Sequence, residues 1–459
     1  MFRPRMTEEN IQATLASRAD AASRTRTVVA GAIGNVLEWY DFGLFGYFAA
    51  VIAAEFFPGE NKLAGLLDTF GVFATGFLMR PLGGLLFGLV GDRLGRKRAL
   101  ELSVLLMAVS TTLLGLLPGY ATIGLAAPVL LTILRMIQGL SVGGEYIGSI
   151  AFLAEHAPPN RRGFYGSWSG FTVVLGTLLG SAVAAILARA LTASQLHAWG
   201  WRVAFISGLI IGVVGFWLRL GVTESPDFEQ LRHTGQLAAH PIADALRRDR
   251  KAIVTTIGLT GLSSVGFYLP FVWLPTWLSD IISHPLPQQQ ALASSTIALL
   301  ALLVLIPLLS VVSDRVGRRP MYLAASAGYV LLPYPLMAMM SGGTFAAAII
   351  GGLAFAFVSS LFGCCMGATM VELFPTQTRY TGVAIGYNVG QAVLSGTAPL
   401  VAMALVKVTN SVEAPAFYLI ACGLVGAFFS VSIPALHGKP LRSAASASDA
   451  GPFRDDPIA

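Results

Sequence analysis

The sequence predicts an all-α polytopic membrane protein with twelve transmembrane helices in two pseudo-symmetric six-helix bundles. Three observations carry this expectation. Of 459 residues, 55% are apolar and only 12% charged, with a mean hydropathy of +0.69, a balance outside every soluble class. Apolar stretches recur from Val28 to Leu436, each longer than the roughly 18 residues that cross the hydrocarbon as a helix. Two short polar motifs also occur twice, at matching places in the two halves.

Residues 1–27, with Arg3, Arg5, Glu8, Glu9, Arg18, Asp20, Arg24 and Arg26, lack the apolar core and cleavage site of a signal peptide and read as a cytoplasmic tail. The predicted spans are 28–53, 64–90, 99–118, 123–154, 164–188 and 199–220, then 252–281, 290–313, 321–340, 344–373, 380–405 and 415–436. Helices are the expected form because they satisfy their own backbone hydrogen bonds in lipid. Bundle 28–222 is followed by a cytoplasmic linker, 223–251, ending on Arg247, Arg248, Arg250 and Lys251; bundle 252–436 is followed by a short cytoplasmic tail, 437–459. Most of the 30 Lys and Arg residues fall on one side of the membrane, and only Lys62, Arg189 and Lys407 on the other. That asymmetry places both termini in the cytoplasm and explains the net charge of +6 without nucleic acid. Cys364, Cys365 and Cys422 lie in apolar surroundings without metal-ligand spacing and read as helix-packing residues.

The internal repeat is specific. Gly91-Asp92-Arg93-Leu94-Gly95-Arg96-Lys97 follows span 2, and Ser313-Asp314-Arg315-Val316-Gly317-Arg318-Arg319 follows span 8. A second echo joins Glu155–Arg162, with Pro158, to Glu372–Arg379, with Pro375.

On the repeated Asp-Arg-x-Gly-Arg-Lys/Arg loops the chain resembles the major facilitator superfamily. Three further strings resemble its metabolite:proton symporter branch, whose members carry citrate, α-ketoglutarate, shikimate, proline or betaine. They are Glu38-Trp39-Tyr40-Asp41-Phe42, Arg80-Pro81-Leu82-Gly83-Gly84, and Arg135 through Gln138-Gly139-Leu140-Ser141-Val142-Gly143-Gly144-Glu145-Tyr146. The stretch Glu155–Gly163 adds to them. The resemblance implies a major facilitator fold in a bacterial inner membrane, functional as a monomer, with two bundles rocking about a central site. It also implies proton-coupled symport of a small organic acid such as citrate or α-ketoglutarate. Symport of a zwitterionic osmolyte (proline or betaine) and proton-driven efflux are the alternatives. The chain ends soon after span 12 in the segment Ser443–Asp449, without the heptad-bearing extension of osmosensing permeases. Span 5, with Gly170, Gly176 and Gly180, lacks the Gly-Pro pair of drug antiporters.

Charge inside a membrane requires a partner, water or a function. Glu38, Asp41, Arg80 and Arg135 are expected near mid-depth. Glu38 and Asp41, three apart with Asn35 on the same face, are expected to resist ionising together, which makes them candidate proton carriers. Arg80, before Pro81, offers a guanidinium for an anionic substrate. Arg135 and Gln138 resemble the Arg-x-x-Gln-Gly pattern tied in this superfamily to proton handling, and both are candidate substrate contacts. Glu145, among small residues, is a candidate gate, and Arg202, beside Trp199 and Trp201, an interface anchor. By resemblance, Asp92, Arg93 and Arg96, with Asp314, Arg315 and Arg318, latch the outward-facing state. The second half offers Tyr268, Asn388 and Gln391 as neutral substrate contacts, with Pro270 and Pro275 as hinges. No phosphate loop, metal cluster or activated nucleophile is visible. The sequence therefore predicts no catalytic residue, metal or cofactor beyond the coupling proton.

Overall fold

The computed structural model describes residues 35–434, except 60, 95, 144, 156, 221–240 and 376–377, together with 438, 439 and 441. Within helices, the side chains of Asp92, Arg93, Arg96 and Glu145 lie outside the described set. Twelve apolar spans follow one another. They are α1 (Asn35–Tyr47 with Ala49–Phe56), α2 (Lys62–Leu78 with Arg80–Leu94), α3 (Arg96–Leu116), α4 (Ala126–Ser141 with Glu145–Glu155), α5 (Arg162–Ala190) and α6 (Trp201–Leu220). The second set is α7 (Arg250–Asp280), α8 (Gln288–Val316), α9 (Arg318–Leu331 with Pro333–Met340), α10 (Phe345–Leu373), α11 (Arg379–Thr409) and α12 (Pro415–Val431). A short helix, Pro241–Arg248, precedes α7.

Several helices are broken, some of them at the prolines expected to bend or hinge them. α1 turns by 67° at Phe48 and α9 by 46° before Pro333. α2 breaks at Met79, where Pro81 has no N–H to offer the Phe77 carbonyl four residues back. α4 breaks after Val142. α7 and α11 each carry a π-helical turn, Leu269–Trp273, with Pro270 as its second residue, and Gln391–Ser395. Interruptions of this kind free backbone groups at the membrane interior, where substrate sites of transporters are built.

Within the first half α3 lies along α6 and α2 along α4; within the second, α8 lies along α10, α9 along α12 and α7 along α11. The halves meet chiefly through α5 against α8 and α10, and through α2 against α11. Small residues set these distances. A Cβ on Gly139 of α4 would overlap the Gly76 carbonyl of α2, and one on Gly367 of α10 would lie 2.6 Å from the Gly166 carbonyl of α5.

Both ends of the inter-half seam are closed. At the end carrying the repeated loops, α5 and α10 touch at Gly166 and Gly367. At the opposite end, Val272 of α7 presses on Gly46 of α1, Thr276 donates to the Gly46 carbonyl at 3.3 Å, and Lys62 pairs with Asp280 at 2.6 Å.

Replacing Gly139 with Val should separate α2 from α4 and cost about 1–3 kcal/mol as an overpacked contact. A thermal-unfolding scan in detergent should show a lowered midpoint. An unchanged midpoint would contradict the contact.

Candidate functional site

The four mid-depth charges form two separate ion pairs. Glu38 and Asp41 share α1, but each faces its own arginine: Glu38 Oε1 lies 2.9 Å from Arg80 Nη2, and Asp41 Oδ2 lies 2.7 Å from Arg135 Nη1. Arg80, Asp41 and Arg135 are fully buried, and Glu38 almost so. The carboxylate-to-carboxylate repulsion expected from the sequence is thus offset by one guanidinium for each acid. A single buried charge here would be very costly, whereas a paired one is tolerable.

The Asp41 carboxylate is held in a hydrogen-bond network, while Arg135 Nε and Nη2 have no hydrogen-bond partner among the described residues. Arg135 Nη1 also donates to Gln138 Oε1 at 2.7 Å, while Gln138 Nε2 donates to Asp41 Oδ1 at 2.9 Å and to Thr111 Oγ1 at 3.0 Å. Every polar atom of the Gln138 amide is engaged, so in this conformation it fixes Asp41 and Arg135 and offers nothing free to a substrate. The Arg135 guanidinium lies over Phe42, Phe45 and Phe73 at 4.6, 4.4 and 5.5 Å, where ring faces hold a cation without hydrogen bonds.

The Arg80 pair has unclaimed donors as well. Arg80 Nε and Nη1 make no hydrogen bond among the described residues, although the side chain is completely buried. Its guanidinium lies 5.4 Å from the Phe77 ring and 5.9 Å from that of Tyr387, which packs on Tyr146 at 4.7 Å. Unclaimed guanidinium donors are suited to a carboxylate.

The second half contributes neutral groups, as its sequence suggested. Tyr268 of α7 sits beside the pairs, ringed by Trp39, Phe73, Phe77 and Phe267. On α11, Asn388 Nδ2 donates to the Gly143 carbonyl of α4 at 2.9 Å, a bridge between the halves. The oxygens Tyr268 Oη, Asn388 Oδ1, Gln391 Oε1 and Ser395 Oγ are buried without a hydrogen-bond partner, as are Thr260 Oγ1 and Ser264 Oγ of α7. Buried polar atoms left unpaired cost about 1–3 kcal/mol each, so this cluster on two adjacent helices is prepared for water or a ligand.

Of the two loop motifs, the second is described. Asp314 accepts the backbone N–H groups of Gly163 and Phe164 at 2.7 and 2.9 Å, capping the N-terminus of α5 in the other half. Arg318 holds it, pairing with Asp314 at 2.8 Å and with Glu372 at 3.1 Å. Arg315 is exposed and outside this cluster. The Asp92, Arg93 and Arg96 motif and Glu145, also expected to gate, lie outside the described side chains. Arg202, expected as an interface anchor, instead ties three helices: it pairs with Glu55 at 2.7 Å and donates to the Gly115 and Leu117 carbonyls.

Sequence reasoning missed Thr111, Trp39, Phe73 and Phe77. Thr111 stands beside Ser110 and Thr112 in an apolar span and gives no signal. The aromatics gave one: rings at 70, 73 and 77 repeat at helical spacing on a span that also carries Arg80.

Comparison with known proteins adds three findings. A family model described as Sugar (and other) transporter matches residues 27–257 and 276–446. The proline/betaine transporter of Escherichia coli (strain K12) is 32% identical over 441 residues, covering 94% of this chain and 87% of that protein. The glycine betaine/proline/ectoine/pipecolic acid transporter of Dickeya dadantii (strain 3937) is 32% identical over 432 residues, 92% and 86% of the two chains. Among solved structures, the major facilitator proton:xylose symporter XylE, bound to 6-bromo-6-deoxy-D-glucose, matches with a TM-score of 0.73. It is 20% identical over 92% of this chain and 98% of its own, a likeness of fold.

Removing one partner of the Asp41–Arg135 pair should destabilise the protein by about 3–5 kcal/mol, and removing both should cost less than the two losses summed. Unfolding of Asp41→Asn, Arg135→Gln and the double variant in detergent checks this. Strict additivity would mean that the two side chains are not coupled.

Proposed function

The chain belongs to the Sugar (and other) transporter family of the major facilitator superfamily, and from that premise we propose that it imports a compact zwitterion of the betaine or proline kind together with a proton. It is a multi-pass membrane transporter and not an enzyme. The substrate reading moves from the citrate-like acids favoured by the sequence to the zwitterion alternative.

One observation carries that change. The buried layer holds two acids and two arginines, each arginine already opposite an acid. A di- or tricarboxylate would add two or three negative charges to a neutral site, at a high desolvation cost. A zwitterion adds none. It brings one carboxylate for the unclaimed Arg80 Nε and Nη1, and one cation to face Glu38 in exchange. The names of the bacterial relatives, proline/betaine and glycine betaine/proline transporters, point the same way.

Coupling follows from the network that holds Asp41. Protonation of Asp41 removes half of a buried pair and leaves Arg135 held by Gln138 and three ring faces. An uncompensated guanidinium in this layer attracts a carboxylate, so the proton prepares the site for substrate, and substrate retains the proton. Binding of both adds the proton's single positive charge to this neutral layer, since the zwitterion adds none. The halves then rock about α7 and α11, whose π turns flank Tyr268 and Gln391. The Asp314 cap on α5 holds one face closed until Arg318 and Glu372 rearrange, and Glu145 with the Asp92, Arg93 and Arg96 loop serves the same closure from the first half. Asn388 and Gln391 complete the site as neutral contacts. The basic face is cytoplasmic in a bacterial inner membrane, and one chain suffices for transport.

Proteoliposomes with an inward proton gradient should accumulate betaine or proline, and an uncoupler should abolish accumulation. Asp41→Asn should lose gradient-driven accumulation by more than about tenfold while retaining betaine/betaine exchange. Accumulation of citrate or α-ketoglutarate with no response to betaine and proline would overturn the substrate class. Efflux driven by acid on the far side would overturn symport.

A further inference from the structure

Four aromatic rings converge on Tyr268. Trp39 of α1 lies nearly parallel to it, with centroids 5.8 Å apart and planes 24° apart. Phe73 and Phe77 of α2 meet it edge-on at 5.8 and 5.3 Å, and Phe267 does so at 5.7 Å. Trp39, Phe73, Phe77 and Tyr268 are all at most 4% exposed. Two members nevertheless leave a donor unused: neither Trp39 Nε1 nor Tyr268 Oη has a hydrogen-bond partner. Buried indole and phenol donors ordinarily find one, so two orphans in stacked neighbours mark a place completed by something from outside the chain.

The rings also border both arginines. The Phe77 face is 5.4 Å from the Arg80 guanidinium, and the Phe73 face 5.5 Å from that of Arg135. These faces therefore already accept cations. A quaternary ammonium has no N–H, so Glu38 cannot hold it by hydrogen bonding. Its charge is spread over methyl groups, and an aromatic enclosure is what recognises it.

We propose, resting on the zwitterion reading above, that Trp39, Phe73, Phe77 and Tyr268 form the subsite for the alkylated ammonium of the substrate. Trp39 Nε1 and Tyr268 Oη, with the free edge of Arg80, receive its carboxylate. The substrate cation replaces the Arg80 guanidinium at the Phe77 face, and Arg80 turns to the carboxylate. Selectivity then rests on the degree of N-methylation. The Glu38 and Asp41 charges favour any cation and do not distinguish among them.

The test uses the full-length transporter in proteoliposomes under an inward proton gradient, with glycine, sarcosine, dimethylglycine and glycine betaine as a methylation ladder. The uncharged-head isostere 3,3-dimethylbutyrate serves as the shape control. KM should fall with each methyl, and glycine betaine should be favoured over the isostere by about tenfold. The Trp39→Phe/Tyr268→Phe pair keeps the ring faces and should keep that preference. Relative to that Phe pair, which lacks the same carboxylate donors, the Trp39→Leu/Tyr268→Leu pair should raise KM for betaine about tenfold and move KM for proline less than about twofold. Uptake of betaine with a flat ladder, equal affinity for the isostere, or equal losses of betaine and proline in the Leu pair would overturn the aromatic subsite alone. Uptake of none of these amino acids by the unaltered protein would overturn the zwitterion reading, and the subsite with it. Should the Leu pair fail to fold, the ladder on the unaltered protein decides.

Discussion

Charge neutrality inside the lipid is the constraint on which the rest of this structure depends. Four ionised side chains at mid-depth would be prohibitive singly, and they persist because each acid meets a guanidinium at 2.7 or 2.9 Å. That requirement fixes the neighbours of α1. Arg80 brings in α2 and Arg135 brings in α4, and close approach through Gly76 and Gly139 lets both helices reach the same layer. The second half then closes over this layer with aromatic and amide groups. Its own helices bring no compensating charge to the pairs among the described residues, so the energetic centre of the site belongs to the first half.

The two pairs differ in how their acids are held. Both oxygens of Asp41 are engaged, by Arg135 and Gln138, and three rings lie over the Arg135 cation, whose Nε and Nη2 have no hydrogen-bond partner among the described residues. Arg80, opposite Glu38, likewise keeps Nε and Nη1 without a hydrogen-bond partner among the described residues. Both pairs thus keep acid and guanidinium within one electrostatic layer.

Much of this was legible in the sequence, and the reasons are physical. Apolar spans longer than a bilayer leave no alternative to helices, and the duplicated Asp-Arg-x-Gly-Arg loops expose the two halves. The four charges were visible because ionisable residues are rare in such spans. Their pairing was not: Glu38 and Asp41 lie three apart on one helix, and only the third dimension sends one to Arg80 and the other to Arg135. Gln138 was legible as a member of the site but not as a saturated brace. The breaks at Phe48 and at the π turns were also hidden, because the proline signals at 270 and 275 say where a helix yields and not how. Charge counting likewise required the pairs: two lone arginines suggest a polyanion, and two neutralised arginines do not.

The π turns carry a consequence of their own. Each inserts one extra residue into a helix, which rotates everything beyond it by about 100° relative to an uninterrupted α-helix. In α7 the inserted turn begins just after Tyr268, and in α11 it begins at Gln391. The two halves of each helix are therefore out of phase, so the inner half can keep its polar stripe toward the centre while the outer half turns an independent face to its neighbours. Solute recognition and closure of the outer mouth can diverge in sequence without disturbing each other, although both are written on one continuous helix.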